Sequence, residues 1–137
     1  MRETLPKSSI LRGYKVFSTV KENGIHFQTP HLHCYVTNSS QEKTIHTNVQ
    51  IGFGVAKKIV PLAVHRNRIK RLLREVYRKN KQTLDTFSLE QQQQLKILLL
   101  FRLTNKEEKI WKISYHLLEQ EWKELVEKIL TIKKSIT

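Results

Sequence analysis

Apolar residues change their spacing several times along this chain, and each change marks an element. Over residues 12–22, Tyr14, Phe17 and Val20 recur at every third position with Leu11 ahead of them, and Asn23-Gly24 supplies a stop signal. A short helix with an aromatic side is predicted there. Residues 31–37 alternate: Leu32, Cys34 and Val36 share one face and His31, His33, Tyr35 and Thr37 the other, the period of a half-buried strand. Polar, turn-like residues 38–48 follow, so the next strand is expected to return antiparallel. In 49–55, Val49, Ile51, Phe53 and Val55 face one way. Gln50, Gly52 and Gly54 face the other, where missing side chains allow a backbone or ligand to come close, as in a groove.

From residue 66 to 81 the period becomes helical. Ile69, Leu72, Leu73, Val76 and Tyr77 fall at i, i+3, i+4, i+7 and i+8, a stripe wide enough to dock on a core. Residues 83–94, with four consecutive glutamines, read as a surface connection containing one helical turn and as a tolerated insertion. The run 95–101, interrupted by Lys96 alone, predicts a buried central strand. Thr104-Asn105-Lys106-Glu107 has the capping-box form, and Ile110, Ile113, Leu117, Leu118, Trp122, Leu125 and Ile129 then trace a long amphipathic helix over the sheet. The order helix, strands, basic helix, strand, helix gives one α+β domain over residues 1–137. Its core is expected at about 11–130, with residues 1–10 and 131–137 flexible and no internal repeat.

A length of 137 residues suits one core that removes roughly two-thirds of the chain's surface from water. The longest apolar runs, 59–64 and 97–101, are far shorter than the roughly 20 residues that span a bilayer. Residues 1–9 carry Arg2, Glu3 and Lys7 with no apolar block behind them. Neither a membrane span nor a secretory signal is therefore expected, and the cytoplasm is the default location. Cys34 is the only cysteine, so no intramolecular disulfide can form, and a small buried apolar role is expected for it.

Charge alters the picture more than length does. Against 25 Lys and Arg stand 12 Asp and Glu, a net +13, which points to a polyanionic partner. Residues 57–81 hold ten of the basic residues and one acid, Glu75, and so carry +9 of that charge. At 100° per residue, Asn67, Lys70, Arg71, Arg74 and Arg78 lie together opposite the apolar stripe. A solubilising face mixes signs to gain i,i+4 pairs; Arg66, Arg68, Lys70, Arg71, Arg74 and Arg78 instead repel one another unless an anion compensates them. Arginine predominates among them, as suits planar donors gripping phosphates. A membrane surface fits less well, since the apolar stripe is needed for the sheet.

The chemistry of catalysis is harder to find. A metal-dependent nuclease assembles several carboxylates, whereas Asp85 is the only aspartate and the glutamates are scattered. His31-x-His33 beside Cys34 has no further ligand cluster nearby in sequence, so no metal site is expected and the histidines are assigned to a surface or nucleic-acid-facing role. Tyr35, on the polar face of its strand, offers a ring on which unpaired bases can stack, and Phe17 is either a second such ring or core.

Ala63-Val64-His65-Arg66-Asn67-Arg68-Ile69-Lys70-Arg71-Leu72-Leu73-Arg74 resembles the signature of the bacterial ribonuclease P protein subunit. Gly52-Phe53-Gly54-Val55-Ala56-Lys57-Lys58 resembles the strand and paired lysines that precede it, and the similarity extends over about residues 11–129. Two departures are visible: Ile59-Val60-Pro61-Leu62-Ala63 is one residue longer than usual, and it lacks the glycine that commonly comes soon after the lysines.

The resemblance implies an αβββαβα sandwich on a four-stranded, mainly antiparallel sheet with a left-handed crossover. It implies the protein subunit of a ribonucleoprotein endonuclease that removes the 5′ leader from precursor tRNA. In that family the RNA subunit performs the Mg2+-dependent cleavage, so no catalytic residue and no tightly bound metal are expected in the protein. By the same resemblance Arg66, Asn67, Arg68, Lys70, Arg71, Arg74 and Arg78 would contact the catalytic RNA. Phe17, Tyr35, Lys57 and Lys58 would contact the single-stranded leader. The partners implied are the RNA subunit and precursor tRNA, without an obligate protein partner. A structural RNA-binding protein of the ribosomal kind would account for the charge and size as well.

Overall fold

The computed structural model describes residue 10 and residues 14–40, 49–91, 93–105 and 107–131. The expectations made for Leu11, for residues 41–48, for Lys106 and for flexible ends at 1–9 and 132–137 lie outside the described residues. The chain runs α1 (Tyr14–Asn23), β1 (Ile25–Gln28), β2 (Leu32–Ser40), β3 (Val49–Val55), α2 (Ala63–Asn80), α3 (Gln82–Gln91), β4 (Gln93–Phe101) and α4 (Tyr115–Leu130). A 3-10 turn at Ile110–Lys112 precedes α4.

The four strands form one mixed sheet in the order β1-β2-β4-β3. β2 is antiparallel to both β1 and β4, and β3 is parallel to β4. β3 therefore runs opposite to β2, as expected, but the two are not neighbours. The apolar run of β4 lies between them, paired along both edges. Leu95, Ile97, Leu99 and Phe101 face the main core, and Leu98 faces the other side of the sheet, which explains why polar residues do not alternate along this strand.

The main core lies between the sheet and α2, α3 and α4. Ile69, Leu73, Val76 and Tyr77 of α2 meet Leu118, Trp122, Leu125 and Ile129 of α4, all buried, with Tyr77 edge-on to both Phe53 and Trp122. Cys34 is buried in this layer, and burial pushes its thiol pKa up, as a structural thiol requires. On the opposite face, α1 sets Val20 against Leu98, with Phe17, Tyr35 and Leu100 around them. Gly24 lets the chain turn from α1 directly into β1. A Cβ there would stand 2.5 Å from the Val20 carbonyl oxygen and 3.0 Å from the Val36 nitrogen.

The structure corrects three expectations about elements. Residues 82–91 are a helix and no mere surface insertion: Leu84 and Ser88 are buried and Phe87 packs on the main core. The last helix starts at Tyr115, capped by the Ser114 hydroxyl accepting from the Leu117 N–H at 3.2 Å. Ile110, taken as its first apolar position, belongs to the preceding 3-10 turn. Near the expected capping box, the Asn105 side chain accepts instead from the Glu107 N–H. β1, which the residue pattern does not reveal, is a four-residue edge strand on which only Phe27 is half-buried.

Candidate nucleic-acid interface

α2 owes its position to its apolar stripe, and the stripe fixes where its charges go. Asn67, Arg71 and Arg74 are exposed and Lys70 half-buried, and none of the four has a hydrogen-bond or ion-pair partner among the described residues. Three other arginines of the expected RNA-binding set are engaged within the protein. Arg66 donates from Nη1 to the carbonyls of Val60 at 2.9 Å and Pro61 at 2.6 Å. Arg68 donates from Nη2 to the Ile113 carbonyl at 2.7 Å and reaches the Ile110 carbonyl at 3.5 Å. Arg78 grips Glu75 through Nε at 3.1 Å and Nη2 at 2.9 Å, and this hydrogen bond holds the Glu75 carboxyl below its ordinary pKa.

The sequence places these arginines on one helix; it does not show that main-chain carbonyls of two loops await two of them. The lengthened segment after β3 is closed by N–H bonds from Ile59 and Val60 to the Ala56 carbonyl, with Arg66 tying its far side. Lys57 and Lys58 stand exposed on that turn, between the sheet and the start of α2.

Phe17 and Tyr35 come together on the face of the sheet covered by α1. The neighbouring rows of that face are set by register: His26, Tyr35, Leu98 and Gly52 in one, Gln28, His33, Leu100 and Gly54 in the next. Leu100 fills the space beside Gly54, where a Cβ would stand 2.6 Å from its Cδ2. His26, absent from the expected set, lies against Tyr35 with ring centroids 4.6 Å apart and planes 16° apart. Its Nε2 is hydrogen-bonded to His33 Nδ1 at 2.8 Å. The rings of this histidine pair, 8° apart with centroids 5.0 Å apart, lie edge to edge in one plane, since that N···N separation leaves no room for face stacking. Burial lowers the His33 pKa, assisted by Arg102, His26 and Lys21. Together His33, His26 and Tyr35 give an aromatic surface beside cations, suited to unpaired bases. The pairing of β1 with β2 brings His26 there, and its four-residue strand is too short to announce itself by period.

His31 does not share this surface, contrary to expectation. Residues 29–32 form a turn closed by the Thr29 N–H to the Leu32 carbonyl, so strand alternation starts only at Leu32 and the His31 ring goes to the other side. There it is 6% exposed, with Nδ1 at 2.6 Å from Glu121 and Nε2 at 2.6 Å from Glu108. Glu121 also accepts from the Thr29 hydroxyl and the His31 N–H, and Glu108 from the Thr104 N–H. Burial works against charging His31, but its bonds to Glu108 and Glu121 outweigh burial and raise its pKa. Glu108 loses some stability as an anion through burial, yet its bonds to His31 and Thr104 keep its pKa below the ordinary value.

Among the described residues, no group of three or more His, Cys, Asp and Glu side chains is disposed to hold a metal ion. What the molecule presents is a cationic helix face and an aromatic sheet face joined by a lysine-bearing turn.

Known proteins share this fold. The fold is similar to that of the Staphylococcus aureus RNase P protein (TM-score 0.64, 21% identity, 90% of this chain and 95% of that one). It is similar also to the RNase P protein from Thermotoga maritima (TM-score 0.67, 19% identity, 86% and 94%). In sequence the chain is 39% identical over 84 residues to the ribonuclease P protein component of Chlorobium phaeobacteroides, spanning 61% of this chain and 58% of that protein. To the ribonuclease P protein component of Nitrosomonas europaea it is 42% identical over 82 residues, spanning 59% and 64%. These matches thus span about three-fifths of the relatives' length. The family model for ribonuclease P matches residues 5–130, nearly the whole of the chain, and the chain accordingly belongs to the ribonuclease P protein family.

Proposed function

We propose that this chain is the protein subunit of a ribonucleoprotein endonuclease that cleaves the 5′ leader from precursor tRNA, with an RNA subunit as the catalyst. One observation carries the reading: Lys70, Arg71 and Arg74 form an unanswered cationic row on a helix whose other side is locked into the core. Such a row is held rigid at a fixed spacing, which suits the phosphates of a folded RNA. Asn67 extends it by a hydrogen-bonding group that reads either a phosphate or a base edge.

The aromatic face supports the second half of the reading. A single-stranded leader has unstacked bases for Phe17, Tyr35 and His26, and phosphates for the exposed Lys57 and Lys58 on the connecting turn. The protein's contribution is to bind and orient; Mg2+ would serve the RNA, which supplies the phosphates that hold it. This assigns the chain a cytoplasmic role with two RNA partners, the catalytic RNA and precursor tRNA, and no obligate protein partner.

The test is cleavage of 5′-labelled precursor tRNA at low magnesium by protein alone, cognate RNA alone and both together. Cleavage only by the combination supports the reading. Cleavage by protein alone would place a nuclease site in the chain, and no effect of protein on the RNA's activity would favour a structural RNA-binding role.

A further inference from the structure

A second concave surface lies at the N-terminal end of α2, and neither the aromatic sheet face nor the row from Lys70 to Arg74 includes it. It is a cleft of about 360 Å³ between residues 59–62 and residues 107–111, with His65 and Leu103 between them. That is within the range of about 300–1,000 Å³ for small-ligand sites. Its apolar wall residues are unusually open: Leu62 is 60% and Trp111 64% exposed. Both walls are built, not incidental. Arg66 holds the Val60 and Pro61 carbonyls of one, and Arg68 holds the Ile110 and Ile113 carbonyls of the other. Two guanidinium groups of the signature thus fix the width of the cleft.

The setting selects an occupant. Lys57 and Lys58 lead into one wall, Lys109 and Lys112 flank Trp111 on the other, and all four are exposed. The Lys109 ammonium sits 5.6 Å from the Trp111 ring centroid. Of the two carboxylates lining the cleft, Glu108 has both oxygens committed, to His31 and to the Thr104 N–H. Glu107 alone has a carboxylate with no partner among the described residues. An apolar slot with a flat indole, a cationic rim and one free acceptor matches an aromatic ring that carries N–H donors and is attached to a polyanion.

We propose that this cleft receives an unpaired purine of the RNA bound along α2, stacked on Trp111, with its N–H groups toward Glu107 and its flanking phosphates near Lys109 and Lys112. The proposal rests on the RNA-binding reading of the chain. It recasts Arg66 and Arg68 as positioning residues that shape a base site, leaving phosphate contact to Lys70, Arg71 and Arg74.

Tryptophan emission of the full chain, titrated with the cognate ribonuclease P RNA, tests this. A Trp111→Phe variant run in parallel isolates the exposed indole from the buried Trp122. At saturation the Trp111 emission is expected to fall by half or more. Trp111→Ala is expected to bind that RNA about tenfold or more weakly with the same salt slope, because a stacked base and no charge is lost. RNA binding confirmed by filter retention with Trp111 emission unchanged would overturn the proposal, and so would an emission change that follows protein concentration without RNA, which would make a second copy of the chain the occupant. Should the unaltered protein fail to retain the RNA even at low salt, the underlying RNA-binding reading falls with it, and that result is distinct from the other two.

Discussion

Two sets of charged side chains in this protein are treated in opposite ways. Around His31 every charged group is met: two carboxylates close on one imidazole, and hydroxyl and main-chain N–H groups take up remaining oxygens. Along the middle of α2, Lys70, Arg71 and Arg74 meet nothing within the protein. The first set centres on the buried His31 and Glu121, where an unpaired charge would cost several kcal/mol, so folding itself demands compensation. The second is in water, where repulsion is weak enough to be carried until a ligand arrives. Charge that serves the fold is completed internally; the charge proposed to serve a partner is left incomplete. Arg66 and Arg68 lie between these cases, being cations at the surface whose donors are spent on carbonyls.

The contrast is broken most severely at His31. His31→Ala is expected to destabilise the fold by about 3 to 5 kcal/mol in denaturant unfolding, because the Glu121 carboxylate stays buried without its cation. The loss should depend on pH. His31 has a raised pKa, so its contribution is complete below its ordinary value of 6.5 and fades as pH rises through the folded value. Glu108 has a lowered pKa, so its contribution is complete above its ordinary value of 4.5 and fades as pH falls through the folded one. The gap in stability between the unaltered protein and His31→Gln is therefore expected to peak between those two values. A gap flat from pH 4 to 8 would contradict a charged network.

Arg68→Ala comes next, at about 1.5 to 3 kcal/mol of stability, since a charged donor leaves the Ile113 carbonyl at the entry to α4. If it moves RNA affinity and salt slope as a lost phosphate contact does but leaves stability alone, Arg68 belongs with the ridge. Tyr35→Ala is expected to weaken precursor tRNA binding more than mature tRNA binding, by about 1 to 3 kcal/mol, and equal losses would remove Tyr35 from the leader path. Smallest in effect on the fold is Arg71→Ala. The melting temperature should stay where it is, while the slope of log affinity for RNA against log salt flattens by about 0.7 to 0.9. An unchanged slope would take Arg71 out of the interface.

How much of this was legible in the sequence follows from the range of the interactions involved. The stripe of α2 and the all-apolar β4 are repeated local signals, and both elements stand where their periods put them. α3 is hard to read because its stripe is short: Leu84, Phe87 and Ser88 are followed by an exposed Leu89, by Glu90 and by glutamines that carry no period. The alternation places His31 on the wrong face because it runs one residue beyond the strand, into a turn that only the Thr29 to Leu32 bond reveals. The ridge is readable as charge, but its division into unpartnered and bracing arginines is not. That division depends on main-chain carbonyls brought up by Pro61 and Ile113, which look the same from any residue.

The place of β4 has a consequence for how the chain is made. It is an inner strand of the sheet but the last to be synthesised, and its two neighbours do not pair with each other. While the polypeptide emerges, β2 and β3 each offer an unsatisfied edge to any other extended chain, a hazard that ends only when residues 93–101 slide between them. Closure at such long sequence separation is intrinsically slow.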